Sequence, residues 1–92
     1  MKNAASKRVR LLRIYSEDKR RPKILALAQK LFPSFTVHET VGYYQGSREP
    51  SFILEFADAN SKAVLNLARK IKNLTQQKSV LIIELSGKRY QA

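Results

Sequence analysis

The 92-residue sequence contains no cysteine. That excludes disulfide frameworks and thiolate metal sites, and it fits a reducing, cytoplasmic setting. Histidine occurs once and the acidic residues number seven. With His38 as the single imidazole, no Ser–His–Asp or Cys–His set can be assembled, and its neighbour Glu39 falls on the opposite face of a strand. Carboxylates this few and scattered argue against paired-carboxylate catalysis or a hard-metal cage. Three glycines supply no glycine-rich phosphate loop. No apolar run approaches the ~20 residues of a membrane span. The opening MKNAASKRVR carries charge without the apolar stretch of a secretory signal. The expectation is a protein that is not an enzyme, with no cofactor, no metal and no membrane partner.

What the sequence has in excess is positive charge. Eighteen Lys and Arg face seven Asp and Glu, a net charge of +11 and a pI near 10.4. Like charges at this density repel in the compact state, so the surplus points to a negatively charged partner. The charge is concentrated early. Lys2, Lys7, Arg8, Arg10, Arg13, Lys19, Arg20, Arg21, Lys23 and Lys30 stand against only Glu17 and Asp18 in the first thirty residues. Lys19–Lys23 (KRRPK) opens a helix, and helix N-termini favour anions. Lys62, Arg69, Lys70 and Lys72 lie on the outer side of a second helix, where a solvated face is the simpler reading. Lys78, Lys88 and Arg89 flank the last strand.

The hydrophobic pattern gives one domain over residues 8–86, after a flexible basic N-terminus (1–7) and before a short basic tail (87–92). Val9–Tyr15 alternates as a strand, with Leu12 and Ile14 on one face and Val9, Leu11, Arg13 and Tyr15 on the other. Ser16, Glu17 and Asp18 offer cap chemistry, and Pro22 suits an early helical position. Ile24, Leu27, Ala28 and Leu31 then form one helical stripe, ended by Phe32-Pro33. Phe35–Tyr44 reads as a strand with Phe35, Val37, Val41 and Tyr43 on one face. Gln45–Pro50 reads as a turn and Ser51–Phe56 as the returning strand of a hairpin. Asp58, Asn60 and Ser61 are candidate caps for a second helix, whose stripe is Val64, Leu67, Ala68 and Ile71. The nearly continuous apolar run Val80–Leu85 reads as a central strand. The order β-α-β-β-α-β predicts an α+β, ferredoxin-like fold: a four-stranded antiparallel sheet with two helices on one face. The other face stays open.

The RNA-recognition version of this fold stacks bases on aromatic residues of its two middle strands. Here Ser51 and Ile53 occupy those positions on the third strand, so that signature fails; Tyr15, Tyr43 and Tyr44 remain as possible stackers. Acylphosphatases share the topology, but Ser16-Glu17-Asp18 stands where their glycine-rich anion loop would be.

Four stretches carry a family resemblance: Phe32-Pro33-Ser34-Phe35-Thr36-Val37, Val41-Gly42-Tyr43-Tyr44, Glu49-Pro50-Ser51, and Gln76-Gln77-Lys78-Ser79-Val80-Leu81. Together, over residues 12–85, they resemble a loose family of small uncharacterised ferredoxin-like proteins of phages and mobile elements. The shared residues have structural roles: Gly42 allows a bulge, Tyr44 packs or stacks, and a Gln opening the last strand can bond backbone. In size and character the chain is also similar to anti-CRISPR inhibitors. The resemblance implies a non-enzymatic binding protein of such an element. Its partner would be RNA or DNA backbone, or a nucleoprotein complex such as a CRISPR-Cas effector. Arg8, Arg10, Arg13, Lys19, Arg20, Arg21 and Lys23 are the expected contacts, with Lys70, Lys72, Lys88 and Arg89 beside them. The alternative is a protein–protein adaptor or self-associating domain, with a homodimer as one form. It would bind through the open sheet face at Val9, Leu11, Val37 and Tyr43.

Overall fold

The alternation around Leu12 and Ile14 becomes β1 (Lys7–Glu17). It is followed by α1 (Arg21–Leu31), β2 (Thr36–Tyr44), β3 (Ser47–Ala57), α2 (Ser61–Thr75) and β4 (Leu81–Arg89). The computed structural model describes residues 7–92. The expected loose N-terminus therefore lies outside the described residues for 1–6, and Lys7 already belongs to β1. The strands form one antiparallel sheet in the order β2-β3-β1-β4, the ferredoxin-like arrangement that the element order predicts.

One face of this sheet carries the core. Leu12 and Ile14 of β1 and Phe52, Leu54 and Phe56 of β3 are buried against Ile24 and Ala28 of α1 and Val64, Leu67, Ala68 and Ile71 of α2. Phe32, just past α1, closes one end and stacks 4.5 Å from Phe56, with Phe35 at 5.7 Å. The α1 stripe is shorter than its spacing suggests. Leu31 is 46% exposed, because Phe32 fills the core position at the helix end.

Local chemistry explains most boundaries and corrects several expectations. The hairpin turn is only Gln45-Gly46, both with positive φ (49° and 82°), the signature of a twist-compatible two-residue turn. The stretch from Ser47 to Pro50 therefore belongs to β3, not to a loop. Ser16 and Glu17 lie in β1 and do not cap α1, whose N-cap is Arg20 in a left-handed conformation with no side-chain cap bond. Asp18 instead accepts from Arg21 Nε at 2.9 Å. Asn60 does cap α2, accepting from the Ala63 N–H at 3.1 Å. The register between β2 and β3 runs unbroken through Gly42 opposite Glu49, so Gly42 marks no bulge. The apolar run 80–85 forms an edge strand, not a central one, and the expected tail from residue 87 is still β4 as far as Arg89.

Candidate binding face

Register assigns every strand residue to a side. Leu12 opposes Phe56 and Ile14 opposes Leu54, so even positions of β1 and β3 face the helices. Leu11, Arg13 and Tyr15 of β1, Ser51, Ile53 and Glu55 of β3, and Leu81, Ile83 and Leu85 of β4 face away. On β2 it is Thr36, His38, Thr40, Gly42 and Tyr44 that face away. Val37 opposes Leu54 and packs against the core, and Tyr43 shares its side. These two are therefore not part of the open face, whereas Val9 and Leu11 are. The sequence pattern separated two sides of β2 correctly; which side meets the helices depends on its pairing with β3.

The open face has two halves. Over β1 and β4, Val9, Leu11, Tyr15, Ile83, Leu81 and Leu85 form an apolar strip continued by Ile53 on β3; Leu81 remains 56% exposed. Over β3 and β2 the surface is polar and internally bonded. Arg13 Nε donates to Glu55 Oε1 at 2.7 Å, His38 Nε2 lies 3.2 Å from the same oxygen, and the Thr40 and Ser51 hydroxyls meet at 2.7 Å. The Glu55 carboxylate, and the Tyr15 hydroxyl after it, hold the Arg13 guanidinium above its ordinary value.

Charge divides between the two sides of the sheet. Among strand residues facing away from the helices, Lys7, Arg13 and Arg89 balance Glu17, Glu49 and Glu55. The other fourteen Lys and Arg of residues 7–92 share the rest of the surface with four acidic residues, Asp18, Glu39, Asp58 and Glu84. The surplus of the described residues thus lies on the helix side, the loops and the strand margins, and the strand residues of the open face sum to zero charge.

The basic residues singled out by sequence do not converge. Lys19, Arg20, Arg21 and Lys23 stand where β1 gives way to α1; Arg8, Arg10, Lys88 and Arg89 stand at the other end of the same sheet. Arg10 and Arg8 lie seven and nine positions from the end of β1 at Glu17, roughly 23 and 30 Å at ~3.3 Å per residue. Several are already engaged. Arg21 donates to both oxygens of Glu39 at 2.5 and 2.9 Å and to Asp18, and lies 4.6 Å over the Phe52 ring. Arg10 donates to the Ala59 carbonyl at 2.5 Å, Lys19 lies 3.2 Å from Glu17, and Arg89 pairs with Asp58. Arg21 is thus a structural clamp joining α1 to β2. Arg8, Arg20 and Lys23, with Lys70 and Lys72 on the outer side of α2, are exposed.

Two of these clamps predict a pH response. Hydrogen bonds from Arg21 hold Glu39 below the usual carboxylate range. The Arg10 backbone N–H, and then Arg89, do the same for Asp58. A carboxylate depressed on folding stabilises fully above its unfolded pKa of about 4 and loses that contribution as pH falls through its lower folded value. Stability to urea is therefore expected to be flat from pH 7 to 5 and to decline below about pH 4. A Glu39→Gln, Asp58→Asn double variant should show a shallower decline, measured by urea midpoints across that range.

At the end of the sheet beside the hairpin, an open groove of about 710 Å³ is lined by Tyr15, Lys19, Tyr43, Gln77, Lys78 and Leu81, among others. Tyr15 and Leu81 also belong to the open face, so groove and face are continuous. Among the described residues no three His, Asp or Glu gather in a metal-binding group. Among the described residues no helix is long and apolar enough to cross a membrane.

No protein-family model matches the chain, and no curated protein sequence matches it. Similarity appears at the level of solved structures. The PII-like nitrogen regulatory protein CPII from Thiomonas intermedia K12, bound to ADP, AMP and bicarbonate, superposes with a TM-score of 0.64. It is 11% identical, over 96% of this chain and 99% of that one. A PII-like signalling protein from Thermus thermophilus gives a TM-score of 0.59 at 12% identity, over 92% and 91% of the chains. CutA1 from Oryza sativa gives a TM-score of 0.60 at 13% identity, over 94% and 85%. At these identities the likeness is one of fold: the chain has the βαββαβ architecture of PII-like and CutA1 proteins.

Proposed function

We propose that the chain is a non-catalytic binding protein whose open sheet face seats a second copy of itself. The observation that carries this reading is the neutrality of an apolar-striped face in a chain of net charge +11. A face that must meet its own copy across a two-fold axis cannot carry net charge without repelling itself. The sheet is also of comparable extent. Four strands of about nine residues cover roughly 19 by 30 Å, the scale of the ~800 Å² each partner contributes to a standard interface. Pairing would also give the groove a second wall, beside Lys19 and Lys78. Such a space suits a small anionic ligand, the class to which the ADP and AMP of the Thiomonas protein belong.

The test is self-association of the whole chain by sedimentation velocity. Leu11→Glu places a charge in the apolar strip and should weaken association at least ~100-fold, the scale set by burying an unpaired charge. Lys70→Glu, on the outer side of α2, should not weaken it. A chain that stays monomeric at several hundred micromolar sinks the reading, and so does a Leu11→Glu variant that associates like the parent.

A second reading follows from the other side of the charge division. The helix side, loops and margins hold the basic surplus, so pairing by the open faces would turn two such surfaces outward. They suit a polyanion, RNA or DNA backbone above all. The resemblance to proteins of phages and mobile elements directs this reading to a nucleoprotein complex such as a CRISPR-Cas effector. Binding to a generic RNA should then fall steeply with salt, and Lys70→Glu with Lys72→Glu should weaken it. No binding at low salt would leave the surplus to solubility. Charge reversal at Arg21 would not discriminate, because it breaks the clamp on Glu39.

A further inference from the structure

We propose that the free edge of β4 pairs antiparallel with the β4 edge of a second copy, in a register centred on Ser86. This contact is separate from the open-face contact above. β4 hydrogen-bonds β1 on one side only, so among the described residues the backbone groups of its outer side have no strand partner. Exposed edges are commonly blunted by proline, bulges, very short strands or charged side chains. β4 is nine residues long, holds no proline and pairs with β1 in unbroken register. Only its charged residues remain as protection, and their spacing turns protection into complementarity.

Glu84 and Lys88 lie on the same side of β4, both are exposed, and neither makes an ion pair among the described residues. Four residues apart on a strand, they stand about 13 Å from each other and cannot pair within one chain. Antiparallel self-pairing about Ser86 sets Glu84 of each copy directly opposite Lys88 of the other. Opposite-charge pairs at that position stabilise a sheet, and the two-fold axis makes two of them. The same register sets Leu85 opposite Gly87, so no bulky pair collides at the centre. β2, the other edge, offers no such match: its single acidic residue, Glu39, is already held by Arg21. The product is a sheet continued across the two-fold axis, with all helices on one side.

Cross-linking reads this register directly, because the chain has no cysteine of its own. In an antiparallel pair, directly opposed Cβ atoms lie about 4.5–5.5 Å apart, close to disulfide range. Ser86→Cys in the full chain should form a disulfide-linked dimer under mild oxidation at least ~10-fold faster than Lys30→Cys on the exposed side of α1. The same rate should persist in a Leu11→Glu background, which removes the open-face contact, so failure of one contact is told apart from failure of the other. Glu84→Lys and Lys88→Glu should each slow Ser86→Cys cross-linking, and the two together should restore it. Equal rates for Ser86→Cys and Lys30→Cys would overturn the proposal, as would a charge-swapped double variant that links no faster than the single ones. A dimer that links in the parent background and not with Leu11→Glu would also overturn it, since the edge would then not associate by itself.

Discussion

Phe56→Ala is expected to lower the unfolding free energy by about 3–5 kcal/mol, the range for deleting a buried phenylalanine. Phe56 is fully buried near the end of the central strand β3, and two other rings, Phe32 and Phe35, rest against it. The neighbours cannot follow the lost ring inward. Phe32 is held at the end of α1, its N–H bonded to the Ala28 carbonyl at 2.9 Å, and Leu54 and Leu12 are fixed by the ladder. The cavity therefore stays open and the full cost is felt. A domain of this size has roughly 5–14 kcal/mol to lose, so the variant should unfold at markedly lower urea with an unchanged slope. Leu65→Ala, on the exposed side of α2, is the control and should shift the midpoint little. A loss below ~1 kcal/mol at Phe56 would mean that the three-ring cluster is not the centre of the core.

The second large effect is expected at Gln77, a buried amide between α2 and β4. Its Nε2 donates to Ser16 Oγ at 3.0 Å and to Thr75 Oγ1 at 2.7 Å, and its Oε1 accepts from the Glu17 N–H at 3.3 Å. The Ser16 and Thr75 hydroxyls in turn donate to the Glu17 and Ile71 carbonyls. One side chain thus ties the end of β1 to the end of α2, about sixty residues further along. Gln77→Leu keeps the approximate volume and removes all three bonds, leaving the Glu17 N–H without an acceptor. The expected cost is about 1–3 kcal/mol. Amide hydrogen exchange should localise it: Glu17 should lose protection in the variant while Ile14 keeps it. Unchanged exchange at Glu17 would show that the N–H has another acceptor.

Much of the architecture was legible in the sequence because it depends on short-range pattern. The alternation through Leu12 and Ile14, the helical stripe Val64-Leu67-Ala68-Ile71 and the Asn60 cap each express a local rule, and each stands in the structure. What escaped depends on pairing across the chain. Val80–Leu85 looks central because both of its sides are apolar. Its Ile82 meets the core while Leu81, Ile83 and Leu85 extend the open face, and an edge strand can do both. The side of β2 that meets the helices was likewise unreadable until Val37 was set opposite Leu54. The basic cluster is a cluster in sequence only, since β1 carries Arg8 and Arg10 to one end of the sheet and leads to Arg20 and Arg21 at the other. The neutrality of the open face could have been found by counting charges on alternate strand positions, once the register was known.

The strand order has a consequence for the order in which the molecule can assemble. β1 lies between β3 and β4, both of which follow it in the chain. Sixty-four positions separate the end of β1 at Glu17 from the start of β4 at Leu81. At roughly 5–20 residues per second the ribosome takes about 3–13 s to cover that distance. Through this interval Leu12 and Ile14 lack one or both of their flanking strands. The β2–β3 hairpin needs only its two-residue turn and can form on a microsecond scale. Nascent chains should therefore acquire the hairpin first, receive β1 against β3 next, and leave one side of β1 open to foreign strands until β4 arrives.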